Sequence, residues 1–241
     1  MKKHINIINI RLALIFMLVL FLYSFTSARN AKRKLKRSEV IFVGESTNFV
    51  SQETVNKLLI DYQTDVKTIA KEKVFLANVE KAISKHPMIE KAQVFMSVDG
   101  VLKAQVKQRS PIGRIFENEG SFYIDYQGCS MPLSNEETAR VPLIFGVIDS
   151  KNQSNLVAIL KQIYDDDFLQ KNITALKILP DQSVIMINRN YDFQIIFGKL
   201  IHIESKFKNY KAFFQKAEEG KLLAKYKYIN LIYSHQVVAI K

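Results

Sequence analysis

The side chains of this sequence best equipped for chemistry are four histidines, a single cysteine and a run of three aspartates. His4, His86, His202 and His235 lie far apart along the chain, none sits in an H-E-x-x-H, and G-x-S-x-G, P-loop and G-x-G-x-x-G patterns are absent. Asp165-Asp166-Asp167 offers the oxygen ligands a divalent cation takes, but consecutive helical residues point roughly 100° apart, so the run reads as a solvated helix end. Cys129 would need an adjacent base to act as a nucleophile; none is identifiable, and the residue reads as a small buried hydrophobe or a spectator. A lone cysteine excludes an internal disulfide, and the lack of C-x-x-C or suitably spaced histidines excludes structural zinc. The chain is therefore expected to be no enzyme, with no catalytic residue, metal or cofactor, and its elements must serve binding instead.

Of the 241 residues, 48% are hydrophobic and 24% charged, enough to bury a sizeable core, and eight glycines and five prolines leave little room for long linkers. The net charge of +12 is unevenly placed: residues 1–37 carry nine Lys or Arg and no acid, leaving 26 bases against 23 acids in the rest, a net of +3. A nucleic-acid-binding domain concentrates its positive charge on the folded surface that meets phosphates. Here the charge sits in a short leader beside an apolar run, which argues against nucleic acid.

Residues 12–28 contain no charge and are almost entirely large and apolar at their centre, LALIFMLVLFLY. At ~1.5 Å per residue this run covers roughly 25 Å, close to the ~30 Å hydrocarbon core of a bilayer, and Arg11 can snorkel while Ile5 to Ile10 extend it. A cleaved signal peptide is the competing reading. Tyr23 and Phe25 make a bulky approach to a cleavage site and a basic run follows, which favours an uncleaved anchor. Six positive charges follow the run and three precede it, which places the body in the cytoplasm by a plain count, yet a short basic tail with one apolar run is also an export signal. Charge alone does not orient the chain. The expected order is a tail over 1–11, a transmembrane helix over 12–28 and a basic juxtamembrane segment over 29–38.

A first domain is expected over 39–109. The alternation in EVIFVG predicts a strand over 39–44. Ser51 caps a following helix whose apolar face is Val55, Leu58, Leu59 and Tyr62, and a second helix over 75–86 carries Leu76, Val79 and Ile83 and stops at Pro87. Ala92, Val94, Met96 and Val98 alternate, Asp99-Gly100 predicts a type I′ turn, and Leu102, Ala104 and Val106 alternate again, which makes a β-hairpin. The order is strand, helix, helix, strand, strand.

That unit, placed just beyond one apolar span and ending in HPMIEKAQVFMSVDGVLKAQVKQRSPIGRI, resembles the POTRA domain of the bacterial cell-division FtsQ family. Pro87, Ala92, Val94, Pro111 and Arg114 match the family's pattern, while Met88 stands where a Trp is usual and Gln108 where a Glu is usual. A second domain is expected over 110–241. Short strands are predicted over 111–116, 122–125 and 128–133, with turns at Asn118 to Gly120 and at Gln127-Gly128. FYIDYQGCSMPLS followed by VPLIFG is similar to the FtsQ pattern of an Asp before a Gly turn and a Pro-apolar-Gly strand end. A helix over 156–163, strands over 175–179, 184–187 and 193–197, and a long helix with the stripe Leu200, Ile203, Phe207, Tyr210 and Phe214 follow, the helix facing a sheet. Two strand-like pieces flank Tyr233 to Gln236 at the end. The fold class is thus α+β: one N-terminal transmembrane helix, a POTRA domain, and a larger mixed β-domain with packed helices.

The resemblance implies a non-enzymatic scaffold of the division machinery in the bacterial inner membrane. It would be single-pass, with the N-terminus cytoplasmic and the body periplasmic, at the division septum. It also implies that the terminal β-hairpin docks a short segment of coiled-coil partners of the FtsB and FtsL kind, with other division proteins recruited through the POTRA domain. On the matching positions the partner-binding residues are Tyr233, His235, Gln236, Val237, Val238 and Ile240. Such docking works by strand addition, in which an edge strand offers unpaired N–H and C=O groups. Two alternatives use the same sequence: a POTRA-bearing envelope chaperone that assembles outer-membrane proteins, and an anchored envelope hydrolase.

Overall fold

A run of mostly large apolar residues, with Arg11 and Arg29 as its charges near the ends, builds helix α1 (Ile7–Ala31). In the computed structural model, residues 7–31, 33–44, 48–60, 74–117, 120–148, 152–233 and 236–241 are described. The stretch Ile10–Asn30 is long and apolar enough to cross a membrane, and its side chains are exposed. It exceeds the expected 12–28 at both ends, because basic side chains near a span's ends can reach the headgroups while their stems stay apolar. Arg29 also falls in the last turn, where a cation complements the helix dipole. The chain divides into two compact units, Met1–Ser46 with Val50–Gln108, and Thr47–Phe49 with Arg109–Lys241.

In the first unit, β1 (Arg37–Val43) precedes α2 (Gln52–Leu59) and α3 (Leu76–Ser84), and the hairpin β2 (Ile89–Met96) and β3 (Val101–Gln108) completes it. The sheet order is β1-β3-β2, with β1 parallel and β2 antiparallel to the central β3. Ser51 caps α2 by accepting the Thr54 N–H at 3.2 Å, and Val55 and Leu59 are buried below it; Tyr62 lies outside the described residues. α3 is shorter than the expected 75–86 because the residue before Pro87 is pushed out of the helical region; Ile83 is its buried anchor. β1 begins at Arg37 rather than at Glu39, since its pairing with Val101 on β3 draws the first residues into the ladder.

The hairpin turn differs from its expectation. A type I′ turn needs positive φ at both central residues, and only Gly100 has it, at 88°. Gly100 N–H donates to the Ser97 carbonyl at 3.0 Å and Ser97 N–H to the Val101 carbonyl at 2.9 Å. Val98 and Asp99 are therefore the tip of a wider loop, and Val98 is 85% exposed instead of continuing the buried alternation of Ala92 and Val94.

The second unit is a mixed nine-stranded sheet in the order β12-β11-β10-β9-β8-β7-β4-β5-β6. Its strands are β4 (Pro111–Glu117), β5 (Gly120–Asp125), β6 (Ser130–Met131), β7 (Leu143–Phe145), β8 (Ile173–Ile178), β9 (Val184–Asn188), β10 (Gln194–Gly198), β11 (Tyr228–Asn230) and β12 (Val238–Ile240). Asn118, in the expected turn before β5, lies outside the described residues. Where neighbours are parallel the chain needs a crossover, supplied by α4 (Gln153–Tyr164) and α5 (Asp167–Asn172) between β7 and β8, and by α6 (Ile203–Glu219) between β10 and β11.

One register row crosses seven strands: Ile115, Ile144, Leu176, Met186, Ile195, Ile229 and Ala239 are successive partners. The first six are buried in one core with Leu156, Ile159, Leu160 and Ile163 of α4 and Phe207, Tyr210 and Phe214 of α6. Burying each such aliphatic side chain contributes about 1.5–3 kcal/mol, so this row and the two helix stripes hold the sheet to its helices. Leu200, expected on the α6 stripe, precedes the helix but packs against the same core. The short helix α5 was not legible as a separate element, because the aspartate run joins two helices: Asp165 is the C-cap of α4 and Asp166 the N-cap of α5.

Candidate docking edge of the large sheet

The end of the chain forms the edge of the nine-stranded sheet. Ile229 and Leu231 are fully buried and anchor β11, while Gln194 N–H donates to the Lys227 carbonyl and Leu231 N–H to the Ile196 carbonyl, both at 2.9 Å. β12 pairs antiparallel with β11, Tyr228 facing Ile240, Ile229 facing Ala239 and Asn230 facing Val238. Among the described residues no other strand pairs with β12. Because side chains alternate along a strand, Val238 and Ile240 project from the face opposite the helices, at 37% and 48% exposure, while Ala239 turns toward the core side.

Of the residues named from the sequence, Tyr233 is 53% exposed, Gln236 is exposed, and Val238 and Ile240 share the open face of β12. Val237 instead is half-buried and packs against the main core. His235 lies outside the described residues. The open face continues inward along the register from Ile240 to Tyr228, Gln194 and Ile187, and from Val238 to Asn230, Ile196 and Ile185. Ile187 and Tyr228 are exposed, so the edge is bordered by apolar surface.

Two features that positional reasoning missed hold this end of the sheet. Lys206 of α6 is buried and donates from Nζ to the Phe197 carbonyl at 2.8 Å and the Lys199 carbonyl at 2.9 Å, with the ammonium 4.6 Å from the Phe197 ring centre. Burial disfavours its charge and lowers its pKa. Gly198, at φ +74°, lies so close to Ile232 that a Cβ there would fall 2.9 Å from the Ile232 Cγ1. The cation thus closes the end of β10 and the glycine admits the chain leaving β11. A lysine eight positions past a strand end has no sequence signal distinguishing it from a solvated one.

The chemistry-bearing residues do not converge. Among the described residues no three of His, Cys, Asp and Glu form a group that could hold a metal. Asp165 accepts the Tyr126 hydroxyl at 2.9 Å, Asp166 accepts the Phe168 and Leu169 N–H groups and pairs with Lys211, and Asp167 begins α5. Cys129 is exposed, not a buried hydrophobe, because it stands on the outer side of the turn that Asp125 organises. His86 accepts the Met88 N–H through Nδ1 and His202 is the exposed residue before α6. His4 is outside the described residues. The expected Asp-before-Gly turn is held by Asp125, whose Oδ2 accepts Arg109 Nη1 and whose Oδ1 accepts the Cys129 N–H, both at 2.6 Å.

An N-terminal helix long and apolar enough to cross a membrane, followed by a three-stranded and a nine-stranded unit, defines an α+β protein. The family described as FtsQ/DivIB, C-terminal related, matches residues 110–240, which span the whole nine-stranded sheet. The chain belongs to that family and is a cell-division protein. Among solved structures it is similar to the major extracytoplasmic domain of the trans isomer of the bacterial cell division protein DivIB from Geobacillus stearothermophilus. The identity is 11%, the match covers 46% of this chain and 96% of that one, and the TM-score is 0.31. No curated protein matches the chain.

Proposed function

We propose that this chain is a non-enzymatic scaffold of the bacterial division machinery, which captures a segment of a coiled-coil division protein of the FtsB or FtsL kind by strand addition to β12. The observation that carries the proposal is the position of β12 as the outermost strand of its sheet, with β11 as its neighbour. A strand there extends a ladder already registered across the sheet, so backbone groups supply affinity, and Val238 and Ile240 with Tyr228 beside them supply side-chain selectivity. Tyr233, His235 and Gln236 in the connection complete the docking surface, and Val237 seats the start of the strand against the core. The first unit is a POTRA domain that recruits other division proteins, the span is an uncleaved inner-membrane anchor, and the body is periplasmic at the septum.

Successive N–H groups of a strand point to opposite sides. Of Val238→Pro and Ala239→Pro, one therefore removes a donor from the β11 ladder and the other removes one from the outer edge. In cells that depend on this protein, the outer-edge variant is expected to fold, to lose co-purification of the coiled-coil partners and to produce filaments without septa. Undisturbed partner capture by both folded variants would reject strand addition, and normal division after depletion of the protein would reject the scaffold role. Alkaline phosphatase fused after Lys241 is expected to be active; an inactive fusion overturns the periplasmic placement.

A further inference from the structure

The basic segment following the span is not used by the docking edge, and its geometry points to a separate site. We propose that Arg33, Lys34 and Lys36, together with the β2–β3 hairpin tip, bind the phosphate headgroup of an anionic phospholipid in the membrane that α1 crosses. This rests on α1 being a membrane anchor and not on strand addition at β12.

Arg33, Lys34, Lys36, Val98 and Asp99 line an open cavity of about 370 Å³. The cations are held in place by the backbone: Arg33 N–H donates to the Asn30 carbonyl at the end of α1, Leu35 is buried, and Lys36 N–H donates to the Gly100 carbonyl at 2.8 Å. Arg37 is ion-paired with Glu39, whereas among the described residues no ion pair involves Arg33, Lys34 or Lys36, all exposed. The cavity therefore carries three cations against one carboxylate, Asp99, and suits an anion. Val98, 85% exposed at its rim, is an apolar tip of the kind that enters a headgroup layer.

The membrane is the occupant by continuity. At most ~3.6 Å per residue separates the end of α1 at Ala31 from Arg33 to Lys36, so the cluster lies within roughly 20 Å of the span's end. Basic side chains this close to anionic lipid are attracted over about a Debye length. Tethering by α1 keeps the headgroups at high local concentration, so modest intrinsic affinity suffices. Either leaflet serves, because the cations need anionic lipid and not a particular side.

The test is native mass spectrometry of the full chain in neutral detergent, titrated with short-chain phosphatidylglycerol, phosphatidylcholine or inorganic phosphate. Phosphatidylglycerol is expected to bind roughly tenfold more tightly than phosphatidylcholine at low salt, with the preference shrinking at high salt. The R33Q/K34Q/K36Q variant should lose that preference, D99N should strengthen it, and K208Q/K221Q/K225Q, which removes three exposed charges elsewhere, should leave it intact. Equal binding of the two lipids, survival of the preference in R33Q/K34Q/K36Q, an equal loss in the distant triple variant, or inorganic phosphate binding as tightly as phosphatidylglycerol would each overturn the proposal. Partner capture at β12 is unaffected by these variants, so failure here and failure of the docking edge are told apart.

Discussion

Replacing Asp125 with Asn keeps the shape of a side chain that is 0% exposed but removes the charge facing Arg109, whose side chain is 21% exposed. The amide oxygen can still accept the Cys129 N–H that now bonds at 2.6 Å, but the NH2 group is then presented to Arg109 Nη1, also a donor. Turning the amide over satisfies Arg109 and leaves the Cys129 N–H facing a donor instead. Arg109 Nε is already buried without a partner, and apart from Asp125 the guanidinium has the Cys129 side chain beside it. Breaking a buried pair from one side costs ~3–5 kcal/mol, and partial access of water to Arg109 relieves some of it, which leaves about 3 kcal/mol. Hydrogen exchange of the β8 and β9 amides in the full chain reads this loss in the second unit by itself, since central strands exchange through the largest openings. Cys129→Ser keeps the backbone contact to Asp125 and reads the side-chain contact to Arg109 separately. A companion double variant, Arg109→Leu with Asp125→Asn, is expected to cost less than the sum of its parts, because no charge is then stranded. A change below ~0.5 kcal/mol in Asp125→Asn, the range of ordinary surface substitutions, would show that the pair does not hold this turn.

Gly146→Ala meets two obstacles, a φ of +117° and a Cβ that would fall 2.4 Å from the Ile178 carbonyl oxygen; a loss of at least ~2 kcal/mol is expected, and wild-type exchange rates in β7 and β8 would contradict it. Burial pushes the Tyr210 hydroxyl well above its ordinary pKa, with the Asn188 amide pulling it partly back. The unfolded chain loses that proton near pH ~10 and the folded chain keeps it, so this contribution is complete below pH ~10 and is lost above it. Tyr210→Phe should therefore flatten the alkaline fall in stability, and an unchanged alkaline limb would count against the assignment. At Asp166, burial alone would raise the pKa, but Lys211 and the Leu169 and Phe168 N–H groups outweigh it and leave the carboxyl below its ordinary value. Its stabilisation is present above pH ~4 and disappears as the pH falls through the folded-state value, so an acid titration of Asp166→Asn should lack that step.

Of the edge positions that the resemblance named, Val238 and Ile240 share the open face of β12, while Val237 shares their chemistry but precedes the strand and packs inward. Nothing local distinguishes it, since a β-branched residue suits core and edge alike. The hairpin tip shows the same limit: alternation ran on through Val98, while the turn's hydrogen bonds ended the strand at Met96.

Local patterns were enough for the apolar span, the capped α2, the α4 and α6 stripes and most strand positions, because burial imposes periods of 3.6 or 2 on residues close in the chain. Which strands become neighbours is another matter. β7 lies between β4 and β8, and β11 lies beside β10, through pairings between residues tens of positions apart that carry no period. The same holds for Arg109 with Asp125, for Asn188 with Tyr210 and Asn172, and for Lys206 on the Phe197 carbonyl of β10. Each needs a buried polar group to find a partner, and only chain packing brings that partner within reach.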